Sequence, residues 1–247
     1  MNSDAFVDDQ FLERFSRHLL LPDFSLQKQK RLSDATVSVV GLGGLGCLVA
    51  AQLAAAGIGR LLLIDHDSIA LSNLPRQWVY SEGDVGKKKV DVAKTKLLAM
   101  RKDLDVEAKK EKLTLDNADE LLKGSDLIID ALDNITDKFI LNDYALRQKI
   151  FFVHGGAVQY QGAFMSIVPG KTPCLRCHFP KITEEQQNCA TLGVSSSLCA
   201  IIASFQVHEA IALLVGNETM NRGSYCFFDL KRYHLKAISI ENAVCNH

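Results

Sequence analysis

The clearest hydrophobic pattern in the chain covers residues 36–65, TVSVVGLGGLGCLVAAQLAAAGIGRLLLID. It opens with a β-branched run at 37–40, which is typical of a buried parallel strand. An alanine-rich helical segment then runs to Ala56, where two glycines end it. A second apolar run at 61–64 leads to Asp65. The pattern therefore predicts a strand, a helix and a second strand, with a glycine-rich first turn.

Apolar runs and amphipathic segments continue to alternate along the rest of the chain. The patterns predict helices over 11–21, 25–32, 86–101, 116–122, 136–147 and 195–215, and strands over 106–113, 126–132, 150–153, 163–168, 225–229 and 233–240. Strands that alternate with helices are typical of a parallel sheet. We expect an α/β fold, namely a Rossmann-like, mostly parallel sheet with helices on both faces and a C-terminal antiparallel extension.

Composition narrows the possible classes of protein. The chain has 247 residues, 47% of them hydrophobic, which is enough for one large domain. The net charge of −1 gives no reason to expect nucleic acid or an anionic membrane as a partner. We expect no apolar run near the ~18 residues of a membrane span, and no signal peptide. Seven cysteines without a secretion signal favour reduced thiols, metal ligands or a reactive cysteine in a cytoplasmic protein.

The glycine-rich turn, Gly41-Leu42-Gly43-Gly44-Leu45-Gly46, predicts a nucleotide site. Glycines let a phosphate approach main-chain N–H groups at the start of a helix. Asp65 follows roughly 20 residues later, where an acidic side chain can bind ribose hydroxyls. The alternative is a turn that serves packing alone, but strand, glycines, helix, strand and acid in this order favour nucleotide binding.

Further polar residues follow the predicted strands, and they change the kind of nucleotide that we expect. Asn73, Arg76 and Gln77 lie beyond Asp65, and Lys89 begins the next helix. A hydride-transfer enzyme has little use for these cations, whereas a triphosphate needs its charge balanced while a bond to phosphorus changes. Asp133 follows another strand and is suited to Mg²⁺, although it is also a possible helix cap.

These residues resemble the adenylating enzymes of the ThiF/MoeB/HesA family, which are related to ubiquitin-activating enzymes. The resemblance covers essentially the whole chain in order. It rests on GLGGLG, Asp65-x-Asp67, Ser72-Asn73-Leu74-x-Arg76-Gln77, Val85-Gly86-x-x-Lys89, Asp133-Asn134, Cys174-x-x-Cys177, Asn188-Cys189-x-x-x-Gly193 and Gln206-x-x-Glu209-Ala210-Ile211.

The resemblance implies an ATP-dependent adenylyltransferase. Such enzymes use Mg-ATP to activate the C-terminal glycine of a ubiquitin-like sulfur carrier of the ThiS or MoaD type as an acyl-adenylate, for thiamin or molybdopterin cofactor synthesis. By position, Gly44 contacts the nucleotide, Asp65 holds the ribose, Asn73, Arg76 and Lys89 engage the phosphates, and Asp133 holds the metal. The remaining nucleotide-site residues implied by the motifs are Gly41, Gly43, Asp67, Ser72, Gln77 and Asn134.

The resemblance also implies how the chain is organised. Residues 1–35 are an N-terminal helical arm, 36–170 the Rossmann-like ATP-binding region, and 171–247 a zinc knuckle, a crossover loop and a region for carrier binding and dimerisation, all in one continuous domain. Arg17 matches an arginine that reaches into the neighbouring subunit's site, so a homodimer is expected; otherwise Arg17 pairs with a surface carboxylate. Because no rhodanese-like extension is seen, a separate sulfur donor is expected.

The cysteines predict two further sites. Cys174 and Cys177 form a CxxC knuckle, which is half of a structural Zn²⁺ site. The family completes the site with a second CxxC, whereas this chain has Cys245-Asn246-His247. The fourth ligand is then His247 or His178, unless the site is incomplete. Cys189 lies in a polar segment before a helix and is a candidate nucleophile, as in ThiF-type relatives.

Two other functional classes compete with adenylation. An NAD(P)-dependent oxidoreductase accounts for the glycine turn and Asp65, but it leaves Arg76 and Lys89 unexplained. A non-catalytic interaction subunit accounts for the fold, but it gives the charged residues no role. Nucleotide preference distinguishes the first alternative from adenylation, and ATP–pyrophosphate exchange distinguishes the second.

Overall fold

The eight strands in the described part of the chain belong to one sheet. The structure, a computed structural model, describes residues 8–181, 192–217, 222–240 and 245. The strands are β1 (Thr36–Val40), β2 (Arg60–Ile64), β3 (Asp105–Lys109), β4 (Leu127–Asp130), β5 (Phe151–Val158), β6 (Gln161–Ile167), β7 (Tyr225–Asp229) and β8 (His234–Ile238). Their order across the sheet is β3-β2-β1-β4-β5-β6-β7-β8.

The first five strands are parallel and the last three pairings are antiparallel. From β1 the chain moves outward to β2 and β3, and it then returns to place β4 on the other side of β1. This reversal creates a crevice at the carboxyl ends of β1 and β4, where ligands of open α/β sheets bind. The predicted fold class is confirmed, including the antiparallel extension.

Eight helices are described, and they cover both faces of the sheet. They are α1 (Asp9–Leu19), α2 (Leu26–Asp34), α3 (Gly46–Ala56), α4 (Lys89–Met100), α5 (Ala118–Leu122), α6 (Ile135–Gln148), α7 (Leu175–His178) and α8 (Ser196–Val215). Apolar side chains of α2, α3, α4 and α8 form one core layer. Those of α5, α6 and α7 form the other. Burial of these two layers against the sheet holds the crevice in place.

Several predicted boundaries are wrong, both at the edge of the sheet and inside it. The strand expected over 106–113 ends at Lys109, because it lies at the edge of the sheet, where β2 is its one partner among the described strands. The strand expected over 150–153 extends to Val158, since antiparallel pairing with β6 continues past the apolar run. Ser195 is at the N-cap position of α8, yet its side chain forms no capping hydrogen bond.

The expectation that no apolar run approaches the length of a membrane span is also wrong. α8 has 20 residues and is long and apolar enough to cross a membrane by length and composition alone. Its apolar composition has a simpler cause, because Ile202, Ala203 and Ala210 are fully buried against the sheet and α3. A buried core helix passes the same test, so the composition is weak evidence for a membrane.

Candidate active site

A cleft of about 840 Å³ opens at the carboxyl ends of β1, β2 and β4. Most of the residues predicted for the nucleotide site line it, although they come from distant parts of the chain. They are Gly41, Gly43, Gly44, Asp65, Asp67, Asn73, Arg76, Gln77, Lys89, Asp133 and Asn134. The sheet therefore brings these residues together, while their individual roles remain predictions.

The glycine turn has two different structural requirements. Gly41 has a φ of +87°, and a Cβ there would lie 2.7 Å from the carbonyl oxygen of Ala131. Gly43 and Gly44 line the cleft, and their N–H groups form no hydrogen bond with any residue that the structure describes. Free N–H groups beside the start of α3 suit a phosphate. A glycine is thus needed at 41 for the backbone conformation and the close approach of Ala131, whereas Gly43 and Gly44 suit the binding of an anionic ligand.

Asp65 connects the glycine turn to the loop that follows β2 through two hydrogen bonds. Its Oδ2 accepts a hydrogen bond of 2.6 Å from the N–H of Leu42, and its Oδ1 accepts one of 2.7 Å from the N–H of Asp67. The side chain is almost fully buried at the end of β2. Besides its predicted contact with ribose, Asp65 therefore fixes the glycine turn relative to the next loop.

Lys89 is a buried cation at the edge of the cleft, with only 5% of its surface exposed. Its Nζ lies 2.7 Å from Oδ2 of Asp67 and 3.9 Å from Oδ2 of Asp65. Partial burial favours a higher pKa for Asp67, but the hydrogen bond and the charge of Lys89 outweigh it and lower the pKa. The lysine is held in place before any ligand binds.

Arg76 and Gln77 also line the cleft. Nη1 of Arg76 donates to the carbonyl oxygen of Ser72, and a Cβ on Gly44 would lie 3.4 Å from the Cγ and Cδ atoms of Arg76. Gln77 is buried, and its Oε1 has no hydrogen-bond partner among the described residues. Asn73 uses its Oδ1 to accept the N–H of Ala70, which closes a short 3₁₀ turn.

Asp133 lies just beyond β4 and is exposed in the cleft. It forms no hydrogen bond or ion pair with another described residue. Asp133 is not the cap of α6, which was the alternative to a metal role. The cap is Asn134, whose Oδ1 accepts a hydrogen bond of 2.8 Å from the N–H of Asp137. A free carboxylate beside a phosphate site has the chemistry that Mg²⁺ uses.

The cleft continues into a second part with a different lining, which we call the apolar arm: Phe139, His154, Gly156, Gly162, Phe179, Tyr225 and Phe227. A Cβ on Gly162 would meet the side chain of Ile202 at 2.5 Å, so β6 and α8 are in close contact there. The rings of Phe179 and Tyr225 meet edge to face, with centroids 4.9 Å apart. This arm suits an uncharged chain with small side chains.

Sequence reasoning missed a buried charge network beneath the apolar arm. Asp130 is fully buried at the end of β4, and its Oδ2 lies 2.7 Å from Nδ1 of His154. Nζ of Lys138 lies 3.1 Å from both carboxylate oxygens of Asp130. The available signal was a single aspartate within an apolar strand, which needs a buried partner.

Three thiols predicted to bind zinc are brought together around α7. Sγ of Cys174 lies 3.8 Å from Sγ of Cys177 and 3.2 Å from Sγ of Cys245. The three sulfur atoms lie within 4.8 Å of one another, which suits a thiolate metal site. His178, one candidate for the fourth ligand, instead directs Nε2 towards the carbonyl oxygen of Gly223 at 3.1 Å.

The remaining predicted residues lie elsewhere. Arg17 is on the exposed side of α1 and does not line the cleft. Ser72 is exposed and contributes its carbonyl oxygen to Arg76 rather than a side-chain contact. Cys189 and His247 lie outside the described residues, so their predicted roles as nucleophile and zinc ligand are not tested by the structure.

A glycine turn and an acidic strand end at the switch point of an open α/β sheet define the Rossmann-like class of nucleotide-binding folds. The ThiF family profile matches residues 15–247, so this chain belongs to the ThiF family.

Known proteins are similar over most of the chain. "Adenylyltransferase and sulfurtransferase MOCS3" of Culex quinquefasciatus is 36% identical over 90% of this chain, which spans about half (51%) of that relative's length. "Sulfur carrier protein ThiS adenylyltransferase" of Bacillus subtilis is 34% identical over 94% of this chain and 70% of its own length. The crystal structure of E. coli MccB with SeMet MccA has a TM-score of 0.84 at 26% identity, covering 94% of this chain and 73% of that one.

Proposed function

We propose that this chain is an ATP-dependent adenylyltransferase that activates the C-terminal glycine of a ubiquitin-like sulfur carrier of the ThiS or MoaD type. The proposal rests mainly on the set of polar groups that line one cleft. It combines the N–H groups of Gly43 and Gly44 and the carboxylate of Asp133, none of which has a partner in the described part of the chain, with the cations of Arg76 and Lys89. The names of the MOCS3 and ThiS adenylyltransferase relatives support the same activity.

The reaction needs few groups beyond those in the cleft. A C-terminal carboxylate is ionised at neutral pH, so it attacks the α-phosphorus without a general base. One bond forms between the carboxylate oxygen and that phosphorus, the bond to the bridging oxygen breaks, and pyrophosphate leaves. Arg76 and Lys89 stabilise the negative charge that develops on the phosphate oxygens. Asp133 is the residue that would hold Mg²⁺, which supplies further charge neutralisation when bound.

The two parts of the cleft suit the two substrates. The polar end, with Asp65 and the glycine turn, receives ATP, and the apolar arm receives the carrier's terminal peptide. Gly156 leaves room for a narrow extended chain in the apolar arm, because a Cβ there would meet only Nε2 of His154, at 3.9 Å. The activated terminus would serve sulfur transfer in thiamin or molybdopterin cofactor synthesis in the cytoplasm, with sulfur from a separate donor.

ATP–pyrophosphate exchange tests the proposal. Radiolabelled pyrophosphate is expected to enter ATP only when the chain, Mg²⁺ and a carrier ending in Gly-Gly are all present. ThiS-type and MoaD-type carriers, assayed separately, identify the pathway. Absence of exchange with every such carrier, together with tighter binding of NAD than of Mg-ATP, would favour the oxidoreductase alternative.

The proposed assembly is a homodimer in which Arg17 completes the neighbouring subunit's site. Its exposed position on α1, outside the cleft of its own chain, is compatible with a role in trans. Mixing Arg17→Ala chains with Lys89→Met chains tests this role, because a mixed dimer would contain one intact composite site. Recovery of exchange on mixing supports the assignment, and two inactive variants that stay inactive in a verified mixed dimer contradict it.

Cys189 and the zinc site complete the proposal. Cys189 is proposed as a nucleophile whose sulfur attacks the terminal carbonyl carbon of the acyl-adenylate, which links the carrier to the chain and releases AMP. Cys189→Ser should therefore keep pyrophosphate exchange and lose sulfur transfer. Unchanged transfer would reject that role. The three clustered thiols fit Zn²⁺ as structural ligands, with His247 as the proposed fourth ligand.

A further inference from the structure

His154 is a polar side chain within the apolar arm, and nothing in the proposed adenylation step uses it. It lies on the same side of β5 as Phe152 and Gly156, because alternate residues of a strand face one side. The residue lines the cleft although only 6% of its side chain is exposed. A buried imidazole is retained in such a wall only if its nitrogens are satisfied by partners or a ligand.

Nδ1 of the His154 ring already has a hydrogen-bond partner. Parallel pairing of β4 with β5 places Asp130 beside His154, and Oδ2 of Asp130 lies 2.7 Å from Nδ1 of the ring. Lys138 holds the carboxylate from the other side and also donates to the carbonyl oxygen of Gly155 at 2.8 Å. Because Asp130 is ionised beside Lys138, it accepts, and Nδ1 of His154 carries the donated proton.

The protonation state of the ring follows from its surroundings. Burial and then the nearby charge of Lys138 lower the pKa of His154, and they outweigh the opposing effect of Asp130. The imidazole is therefore neutral at physiological pH. With its proton on Nδ1, the ring presents a lone pair at Nε2.

Nε2 of His154 lies next to Gly156 in the lining of the apolar arm. A Cβ on Gly156 would lie 3.9 Å from Nε2 of His154, so the glycine leaves the nitrogen uncovered on its own side. Tyr225 stacks on the imidazole with ring centroids 6.1 Å apart and fixes its plane. Among the residues that the structure describes, none forms a hydrogen bond with Nε2.

We propose that Nε2 of His154 accepts a hydrogen bond from a backbone N–H of the substrate's C-terminal peptide in the apolar arm. The inference rests on the proposed adenylation of a protein C-terminus and assigns the residue that fixes the register of that peptide. A peptide N–H is the matching partner because phosphate oxygens at neutral pH offer no donor to a lone pair. The donors of a nucleotide, its ribose hydroxyls and its base amino group, are the competing partners.

Three substitutions separate the two ring nitrogens. His154→Asn keeps a donor near Asp130 and loses the acceptor, His154→Gln places an amide oxygen near the former Nε2, and His154→Phe keeps the ring against Tyr225 without either nitrogen. We expect His154→Asn and His154→Phe to raise the KM for the carrier roughly 2- to 10-fold in pyrophosphate exchange, as for loss of one hydrogen bond. The KM for ATP should stay unchanged, and His154→Gln should recover most of the carrier affinity.

A substrate change tests the hydrogen bond directly. Carriers made with an ester in place of one of the last two amides lack a single N–H. One of these esters should raise the carrier KM for the wild-type chain but not further for His154→Asn, as expected for two changes that remove one contact. Independent losses from both changes, or a rise in the KM for ATP instead, would overturn the inference. If the wild-type chain shows no carrier-dependent exchange at all, the proposed function fails first.

Discussion

Lys89 and Asp67 form an ion pair, Nζ to Oδ2 at 2.7 Å, at the edge of the cleft that contains the glycine turn. The lysine is buried and the aspartate is half exposed, and both residues line the cleft where phosphates are proposed to bind. The pair holds the cation in position without a ligand. It also lowers the pKa of the Asp67 carboxyl group, although partial burial acts in the opposite direction.

Substitution of Lys89 by Met should therefore lower carrier-dependent pyrophosphate exchange by roughly 100-fold or more, the range seen when one group that stabilises transition-state charge is removed. Met keeps the length and packing of the buried stem. Lys87→Met is the matched control, because Lys87 is exposed and, among the described residues, forms its ion pair with Asp84 alone. Equal activity of the two variants would contradict a role for Lys89 at the phosphates.

Two glycines of the turn should respond differently to alanine. Gly43→Ala should fold normally, because a Cβ there meets only Nε2 of Gln77 at an ordinary 3.8 Å, but its methyl group should weaken ATP binding. Gly41→Ala should destabilise the fold by about 2 kcal/mol or more, because of its positive φ and the collision with Ala131. Thermal unfolding and ATP titration separate the two effects. Normal ATP binding by folded Gly43→Ala would contradict the proposed phosphate contact.

The thiol cluster predicts one zinc ion per chain in protein purified without chelator. Cys177→Ser and Cys245→Ser should lose most of that zinc and unfold at a lower temperature, since a structural zinc contributes folding free energy. Cys226→Ala is the control, because this buried cysteine lies in the other core layer. Elemental analysis provides the measurement. Wild-type protein without zinc would reject the site.

The lowered pKa of buried His154 leads us to expect a specific dependence of stability on pH. Its lowered pKa means that the folded chain binds fewer protons than the unfolded chain between that pKa and about 6.5, the usual histidine value. Stability should therefore fall as the pH drops below 6.5, by up to about 1.4 kcal/mol per pH unit from this group. His154→Gln should lack this contribution. Denaturant titrations from pH 7 to 5 that give the same slope for both chains would contradict the buried, neutral state.

The sequence was sufficient to predict the centre of the fold. The β-branched run at 37–40, the glycine turn and the alanine-rich helix are local patterns, and the structure places β1, α3 and β2 where they predict. The ends of β3 and β5 were not predictable in the same way. Their lengths depend on which strand pairs with them, and pairing partners are distant in the chain.

The same distinction applies to the site. Residues next to a recognisable turn or strand end, such as Asp65 and Lys89, were found from the sequence. The pair of Asp130 and His154 was not, because only the register between β4 and β5 brings the two residues together across 24 positions. A charged residue inside an apolar strand is the sequence signal that such a partner exists, although it does not identify the partner.

The most direct test of the account is mass spectrometry of the carrier after incubation with this chain and Mg-ATP. Hydroxylamine added to the reaction should convert the activated terminus into a hydroxamate on the last glycine, with release of AMP and pyrophosphate in equal amounts. Lys89→Met should give little of this product, and Lys87→Met should match the wild type. An unmodified carrier, or AMP attached to a side chain instead of the terminal carboxylate, would contradict the central claim.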